Sequence, residues 1–288
     1  MQAIASWLVA RPQNAVMGLA VTLLLPAPQL TSGVIMVLLV VAQGTRLAVI
    51  EGLIAAAVLL TVSLLFGVSI ASITTLMLGT WVPVLLLAVL LSGTRSLTLV
   101  MQITALLAVM AMLAFYIVVT DPAAFWEPYL VTMTELARQS NLQLNMEMFT
   151  PEVMTVSAVL AFWLLYVTGL LLGYAIYKRL PGETADYGRF RDFGFGRVIA
   201  IVLALASLLA FLVDATWIQN LAFLLFVFFW LQGLAIVHWM HAENVLPVAA
   251  LIAVYVLLPF LQILLMTALA ILGYTDAWFN FRRRMKKA

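Results

Sequence analysis

The sequence predicts an all-α protein, a polytopic transmembrane helical bundle of about eight to ten membrane segments, two of them broken by proline. Three observations lead to this prediction. Apolar residues make up 66% of the 288 residues, against about 45–50% in soluble domains. Charged residues make up only 9%, against roughly 25% in soluble domains. Apolar runs of about 20 residues, the length that crosses a bilayer as a helix, recur along the chain.

Six apolar runs are predicted to form single spanning helices. They lie at 47–66, 70–92, 97–119, 153–177, 197–213 and 218–240. The fourth has the clearest start, because Thr150, Pro151 and Glu152 supply an N-cap residue, a first-turn proline and a carboxylate at the positive helix end.

Two longer apolar runs contain prolines. The run 14–42 is interrupted by Pro26 and Pro28, and the run 245–273 by Pro259. Proline removes a backbone hydrogen bond and clashes with the preceding turn. Each run is therefore either one kinked helix or two short helices that form a hairpin.

The distribution of Lys and Arg favours the hairpins, because basic residues near spans collect in the cytoplasm. Residues 121–151 carry four acidic residues against Arg138 alone, so this segment is predicted to be external. With both hairpins, all of the 14 basic residues except Arg138 are cytoplasmic. Without them, Arg11 and the five basic residues of the tail move outside as well.

The resulting prediction is a single integral membrane domain over 1–288 with both termini in the cytoplasm. Its extramembrane parts are an external loop at 121–151 with a surface helix over 129–139, a cytoplasmic loop at 178–197 and a cytoplasmic basic tail at 274–288.

Several kinds of chemistry are excluded or disfavoured. The chain has no cysteine, which excludes disulfides and thiolate sites. Phosphate-loop, His-Glu-x-x-His and Gly-x-Ser-x-Gly motifs do not occur. His238, His241 and Glu243 offer too few ligands of defined geometry for a metal site. We therefore predict no enzymatic activity, no cofactor, no metal and no nucleic-acid partner, with the basic excess directed at an anionic membrane surface.

Polar groups within apolar runs are the best candidates for binding. Glu51 lies five residues after Arg46, so it either pairs with that arginine or contacts a ligand in a cavity. Gln232 falls near the centre of its run, where an amide bonds either a neighbouring helix or a substrate. Helix breaks at Pro26, Pro28 and Pro259 free backbone carbonyls for ligands. The tail residues predicted to contact lipid or a partner protein are Arg282, Arg283, Arg284, Lys286 and Lys287.

Two segments carry a family resemblance. The run 272–283 (LGYTDAWFNFRR) and the run 231–235 (LQGLA) resemble the YybS-like, DUF2232 family of bacterial polytopic membrane proteins. That family is distantly similar to the S-components of energy-coupling-factor transporters, which bind a vitamin and dock on an ATPase-driven scaffold. The resemblance implies a bacterial inner-membrane protein with a related role.

The sequence thus predicts a substrate-binding or transport-related protein of the inner membrane. Its partners would be the lipid bilayer, a small-molecule substrate and a cytoplasmic or membrane protein. The alternative is a non-catalytic scaffold that docks a cytoplasmic partner or anionic lipid through the 178–197 loop and the basic tail.

Overall fold

The computed structural model describes residues 2–140, 149–182 and 184–282, and the regular structure in these ranges is helical. The all-α prediction is therefore confirmed. The helices are α1 (Gln2–Ala10), α2 (Pro12–Leu23), α3 (Pro28–Gln43), α4 (Thr45–Leu65), α5 (Ile70–Thr94), α6 (Leu97–Val118), α7 (Pro122–Gln139), α8 (Pro151–Tyr177), α9 (Gly196–Leu212), α10 (Thr216–Ala242), α11 (Val248–Leu257) and α12 (Gln262–Phe279).

Among the described residues, six helices are long and apolar enough to cross a membrane: α4, α5, α6, α8, α10 and α12. Helices α3, α9 and α11 are apolar but shorter. Large apolar side chains such as Leu65, Phe211 and Ile263 stay exposed on the helices, as expected where lipid is the solvent. The protein is therefore a polytopic membrane protein in contact with the bilayer, and α9, with 17 residues, lies at the lower limit of a spanning length.

The chain forms two compact units. The first contains residues 1–101 and 163–188, and the second contains residues 102–162 and 189–288. Helices α6 and α8 each contribute residues to both units, so neither unit is one continuous segment.

The first unit is built around α3. Its nine consecutive residues from Ser32 to Val40 are buried, because other helices surround it on every side. The first proline break precedes it, and Ala27 there adopts a left-handed conformation at φ 53°.

Helices α2 and α3 run antiparallel. Thr31 Oγ1 donates to the carbonyl oxygen of Thr22 (2.8 Å), and Ser32 Oγ donates to that of Leu19 (2.9 Å). Further along, Gly18 faces Ile35. Residue numbers rise along α3 as they fall along α2, so the break at Pro26 and Pro28 forms a hairpin, as the basic residues predict.

The second unit is built around α10, which buries Phe228 and Phe229 completely. Helix α9 begins beside the C-terminal parts of both α10 and α12. The backbone N–H of Phe195 donates to Gln232 Oε1 (2.8 Å), and Arg197 Nη2 donates to the carbonyl oxygen of Trp278 (3.2 Å). Helices α10 and α12 are therefore parallel, and α11 returns the chain between them. The break near Pro259 is thus a second hairpin.

The predicted extramembrane segments differ from the structure in two respects. The surface helix predicted over 129–139 is the longer α7, which starts at Pro122 because Asp121 Oδ1 caps the backbone N–H of Ala124 (3.0 Å). The tail predicted from residue 274 is helical up to Phe279. Residues 283–288 lie outside the described part of the chain.

Candidate functional site

A buried amide joins three parts of the second unit. Gln232 on α10 is only 1% exposed. Its Nε2 donates to the carbonyl oxygen of Gly273 on α12 (2.9 Å), and its Oε1 accepts from the backbone N–H of Phe195 (2.8 Å). The side chain thus ties α10 to α12 and to the loop that precedes α9.

A buried ion pair lies next to this amide. Arg282 Nη2 and Nε both donate to Asp276 Oδ2, at 2.7 and 3.1 Å, and Gln232 Nε2 lies 3.4 Å from the same oxygen. Asn280 makes this return possible, since it ends α12 in the left-handed conformation (φ 50°), which asparagine tolerates better than most residues.

The same arginine also holds the loop. Arg282 Nη1 donates to the carbonyl oxygen of Arg191 (2.8 Å), and Gln102 Nε2 donates to that of Gly194 (2.8 Å). A Cβ atom at Gly194 would lie 3.1 Å from Arg282 Nη2, so the absence of a side chain at this position lets the guanidinium pack against the loop. Phe195 is buried beside Phe228, with ring centroids 5.5 Å apart.

Close backbone packing supports this cluster. A Cβ atom at Gly233 would overlap the carbonyl oxygen of Leu269, and one at Gly273 would overlap that of Phe229. Because both positions lack a side chain, α10 and α12 touch backbone to backbone. This approach places Gln232 within hydrogen-bond distance of Gly273.

One comparison with known proteins decides the family. The model of the family described as predicted membrane protein (DUF2232) matches residues 127–277, which is just over half of the chain. The chain belongs to the DUF2232 family. No curated protein and no solved structure matches it. Within the DUF2232 match, Gln232 and Gly233 meet Gly273 and Asp276, while Arg282 lies just beyond it.

Glu51 is the buried acidic residue of the first unit in this DUF2232 chain. It is 1% exposed on α4. The Gln43 amide faces its carboxylate, and we assign the amide nitrogen to that side, where it donates to both oxygens at 3.1 and 3.2 Å. Among the described residues, Arg46 forms no ion pair with Glu51. The carboxylate therefore ties the end of α3 to α4.

An apolar cavity of about 310 Å³ lies next to this contact. Its walls come from α3, α4 and α5 and include Met36, Gly52, Met77 and Trp81. The indole Nε1 of Trp81 donates to Ser32 Oγ (2.7 Å), which fixes one wall of the cavity.

The prolines and the polar candidates lie at opposite helix ends within each unit. Pro28 begins α3 and Gln43, the partner of Glu51, ends it, so about 20 Å of helix separates them. Pro259 precedes α12, whereas Gln232 contacts Gly273 and Asp276 in the second half of that helix. Pro26 and Pro259 are exposed.

The tail splits into two parts. Arg282, predicted as a lipid or partner contact, is instead bound inside the protein: its Nη2 lies 2.7 Å from Asp276 Oδ2 and its side chain is only 14% exposed. The buried carboxylate needs this counter-charge. Arg283, Arg284, Lys286 and Lys287 lie outside the described residues, and their predicted contact with lipid or a partner stays a prediction.

Gln232→Leu is expected to loosen the loop before α9. The substitution leaves the N–H of Phe195 and the carbonyl of Gly273 without their partner, which costs on the order of 1–3 kcal/mol. Hydrogen exchange of the Phe195 amide should accelerate. Gln262→Leu, at an exposed amide, is the matched control and should leave that exchange unchanged. Unchanged exchange in Gln232→Leu would contradict the hydrogen bond between Phe195 and Gln232.

Proposed function

We propose that this protein is a non-enzymatic integral membrane protein that binds a lipophilic small molecule, in a substrate-binding or transport-related role. The observation that supports this proposal is the cavity between α3, α4 and α5. Its volume of about 310 Å³ falls at the lower end of known ligand sites, which are mostly apolar and measure roughly 300–1,000 Å³.

The lining indicates the class of ligand. Apolar side chains dominate it, and Thr74 is the polar residue on the wall. Apolar cavities favour apolar ligands over water. Met36 and Met77 supply flexible thioethers that adapt to ligand shape. An acyl chain or a small hydrophobic ring system would fit this surface.

Glu51 and Gln232 have distinct parts in this proposal. Glu51 holds the ends of α3 and α4 together through Gln43, next to Gly52 on the cavity wall. Its role is therefore to position the wall rather than to touch an apolar ligand. Gln232 lies in the second unit, where its amide oxygen accepts a hydrogen bond from Phe195 in the loop before α9.

Gly52→Leu is expected to abolish ligand binding by filling the cavity. The side chain of Met36 is the group that a Cβ atom at Gly52 would meet, at 3.1 Å, and this flexible group can move aside. With a fluorescent anthroyloxy fatty acid as probe, titrated against the purified protein in detergent, we expect affinity to fall at least roughly tenfold, about 1.4 kcal/mol.

Gly93→Leu is the matched control, because no atom lies near a Cβ at that position and Gly93 is outside the cavity lining. It should bind the probe like the wild type. Equal binding by wild type and Gly52→Leu would contradict the proposed site.

We further place the protein in the bacterial inner membrane with both termini in the cytoplasm. The basic residues and the two hairpins support this orientation. An S-component-like transport role rests on the family resemblance, and it requires an energy-coupling partner. Such a partner should co-purify in mild detergent.

A scaffold role is the second candidate. The hydrogen bonds of Gln232, Gln102 and Arg282 to residues 191–195 favour it, because an ordered loop is a better docking surface than a mobile one. Co-purification of cytoplasmic proteins, without stabilisation by any lipophilic compound, would favour this candidate over ligand binding.

A further inference from the structure

A basic pocket of about 400 Å³ lies at the C-terminal end of α10, entirely within the second unit. Four of its six lining residues carry nitrogen side chains, and none carries a carboxylate. The lining residues are Arg189, Phe190, Arg191, His238, His241 and Ala242.

The arginines are carried by an anchored turn. Phe190–Asp192 forms a short 3-10 helix, and Arg282 bonds the carbonyl oxygen of Arg191. The Phe190 ring packs edge-on against His238, with centroids 5.7 Å apart. The backbone that carries both arginine side chains is thus fixed beside α10.

Each histidine is held through one ring nitrogen. His238 Nε2 bonds the hydroxyl of Tyr255 (2.6 Å), and His241 Nδ1 bonds the carbonyl oxygen of Leu246 (3.1 Å). Among the described residues, Nδ1 of His238 and Nε2 of His241 have no hydrogen bond. Both histidines line the pocket.

Neither guanidinium group forms an ion pair among the described residues. The ion pairs of the described chain are Arg138 with Glu135 and Arg282 with Asp276, so neither Arg189 nor Arg191 is paired there. Asp192 and Glu243, which follow lining residues in the sequence, are exposed and do not line the pocket. Arginines bind phosphate well because the planar fork matches two oxygens at once.

We propose that this pocket binds a phosphate group, supplied by the headgroup of an anionic phospholipid or by a soluble phosphorylated compound. The position favours a headgroup, because α10 is a candidate span and the pocket lies at its end, where headgroups meet the protein. The inference is independent of the lipophilic ligand proposed for the first unit.

The test measures two probes on the purified full-length protein. Native mass spectrometry records retention of phosphatidylglycerol against phosphatidylcholine, and calorimetric titration records inorganic phosphate. The variant is Arg189→Gln with Arg191→Gln. Both side chains lack an ion pair, so the variant should keep the wild-type thermal midpoint. Arg46→Gln, an exposed arginine outside the pocket, is the matched control.

We expect the double variant to lose binding at least roughly tenfold, since each charge-assisted contact contributes severalfold or more, while Arg46→Gln binds like the wild type. Binding of the lipid alone would identify the headgroup as the source. Binding of inorganic phosphate as well would extend the site to soluble phosphates. The proposal is overturned if neither probe binds, or if Arg46→Gln weakens binding as much as the double variant. Arg189→Lys with Arg191→Lys keeps the charge and should restore part of the affinity.

Discussion

Gly273→Val is expected to prevent α10 and α12 from packing and to yield little folded protein. A Cβ atom alone at this position would overlap the backbone carbonyl of Phe229, and a carbonyl within a helix cannot move aside as a flexible side chain does. Overpacking of cores costs about 1–3 kcal/mol, occasionally more. We expect a value at or above the upper end, because the helices must separate along their whole contact.

The measurement is the thermal midpoint and the monodisperse fraction of the purified protein in detergent. Gly233→Val should behave alike, since its Cβ would meet the carbonyl of Leu269. Gly79→Ala is the control, because Gly79 lies inside α5 with open space around it. It should be neutral or raise stability by about 0.5–1 kcal/mol through helix propensity. Wild-type stability in Gly273→Val would refute the close packing.

Arg282→Met is expected to destabilise the second unit by about 3–5 kcal/mol, because it leaves the Asp276 carboxylate buried without its counter-charge. It also releases the carbonyl of Arg191. The double variant Arg282→Met with Asp276→Leu removes both charges. It should regain a large part of the loss, because the penalty comes from the unpaired charge.

Chemical unfolding of the purified protein measures these differences. The matched control is Arg138→Met, whose partner Glu135 lies in an exposed pair. Surface pairs contribute little, so this change should leave the midpoint unmoved. If Arg282→Met is no more harmful than Arg138→Met, or if the double variant is worse than the single one, the buried pair does not have the role assigned to it.

The sequence predicted the features that depend on local composition. Helix positions followed from apolar runs, and the start of α8 followed from Thr150 and Pro151. The hairpins were favoured by the placement of basic residues, which depends on no knowledge of packing. Both signals can be read from the sequence, because proline interrupts a helix locally and the positive-inside rule concerns loops next to the spans.

The site is formed by contacts between residues far apart in the sequence, which local patterns do not predict. Gln232 stood out as a polar residue in an apolar run, but its partner Gly273 lies 41 residues away. Arg282 looked like one member of a basic tail, because only folding of the chain at Asn280 brings it to Asp276. An aspartate followed closely by basic residues at the end of an apolar helix was the available signal. Glu51 was assigned to Arg46 or to a ligand, whereas the fold supplies Gln43 from another helix.

Cysteine labelling tests the central claim, that the loop before α9 and the C-terminal tail share one side of the membrane, opposite the turn between α9 and α10. The chain has no native cysteine, so Asp192→Cys, Asp214→Cys and Ala288→Cys each supply one thiol. With a membrane-impermeant maleimide added to intact cells, we expect labelling of Asp214→Cys alone, and labelling of the other two only after the membrane is opened. Labelling of Ala288→Cys from outside together with Asp214→Cys would contradict the hairpin near Pro259 and the shared side.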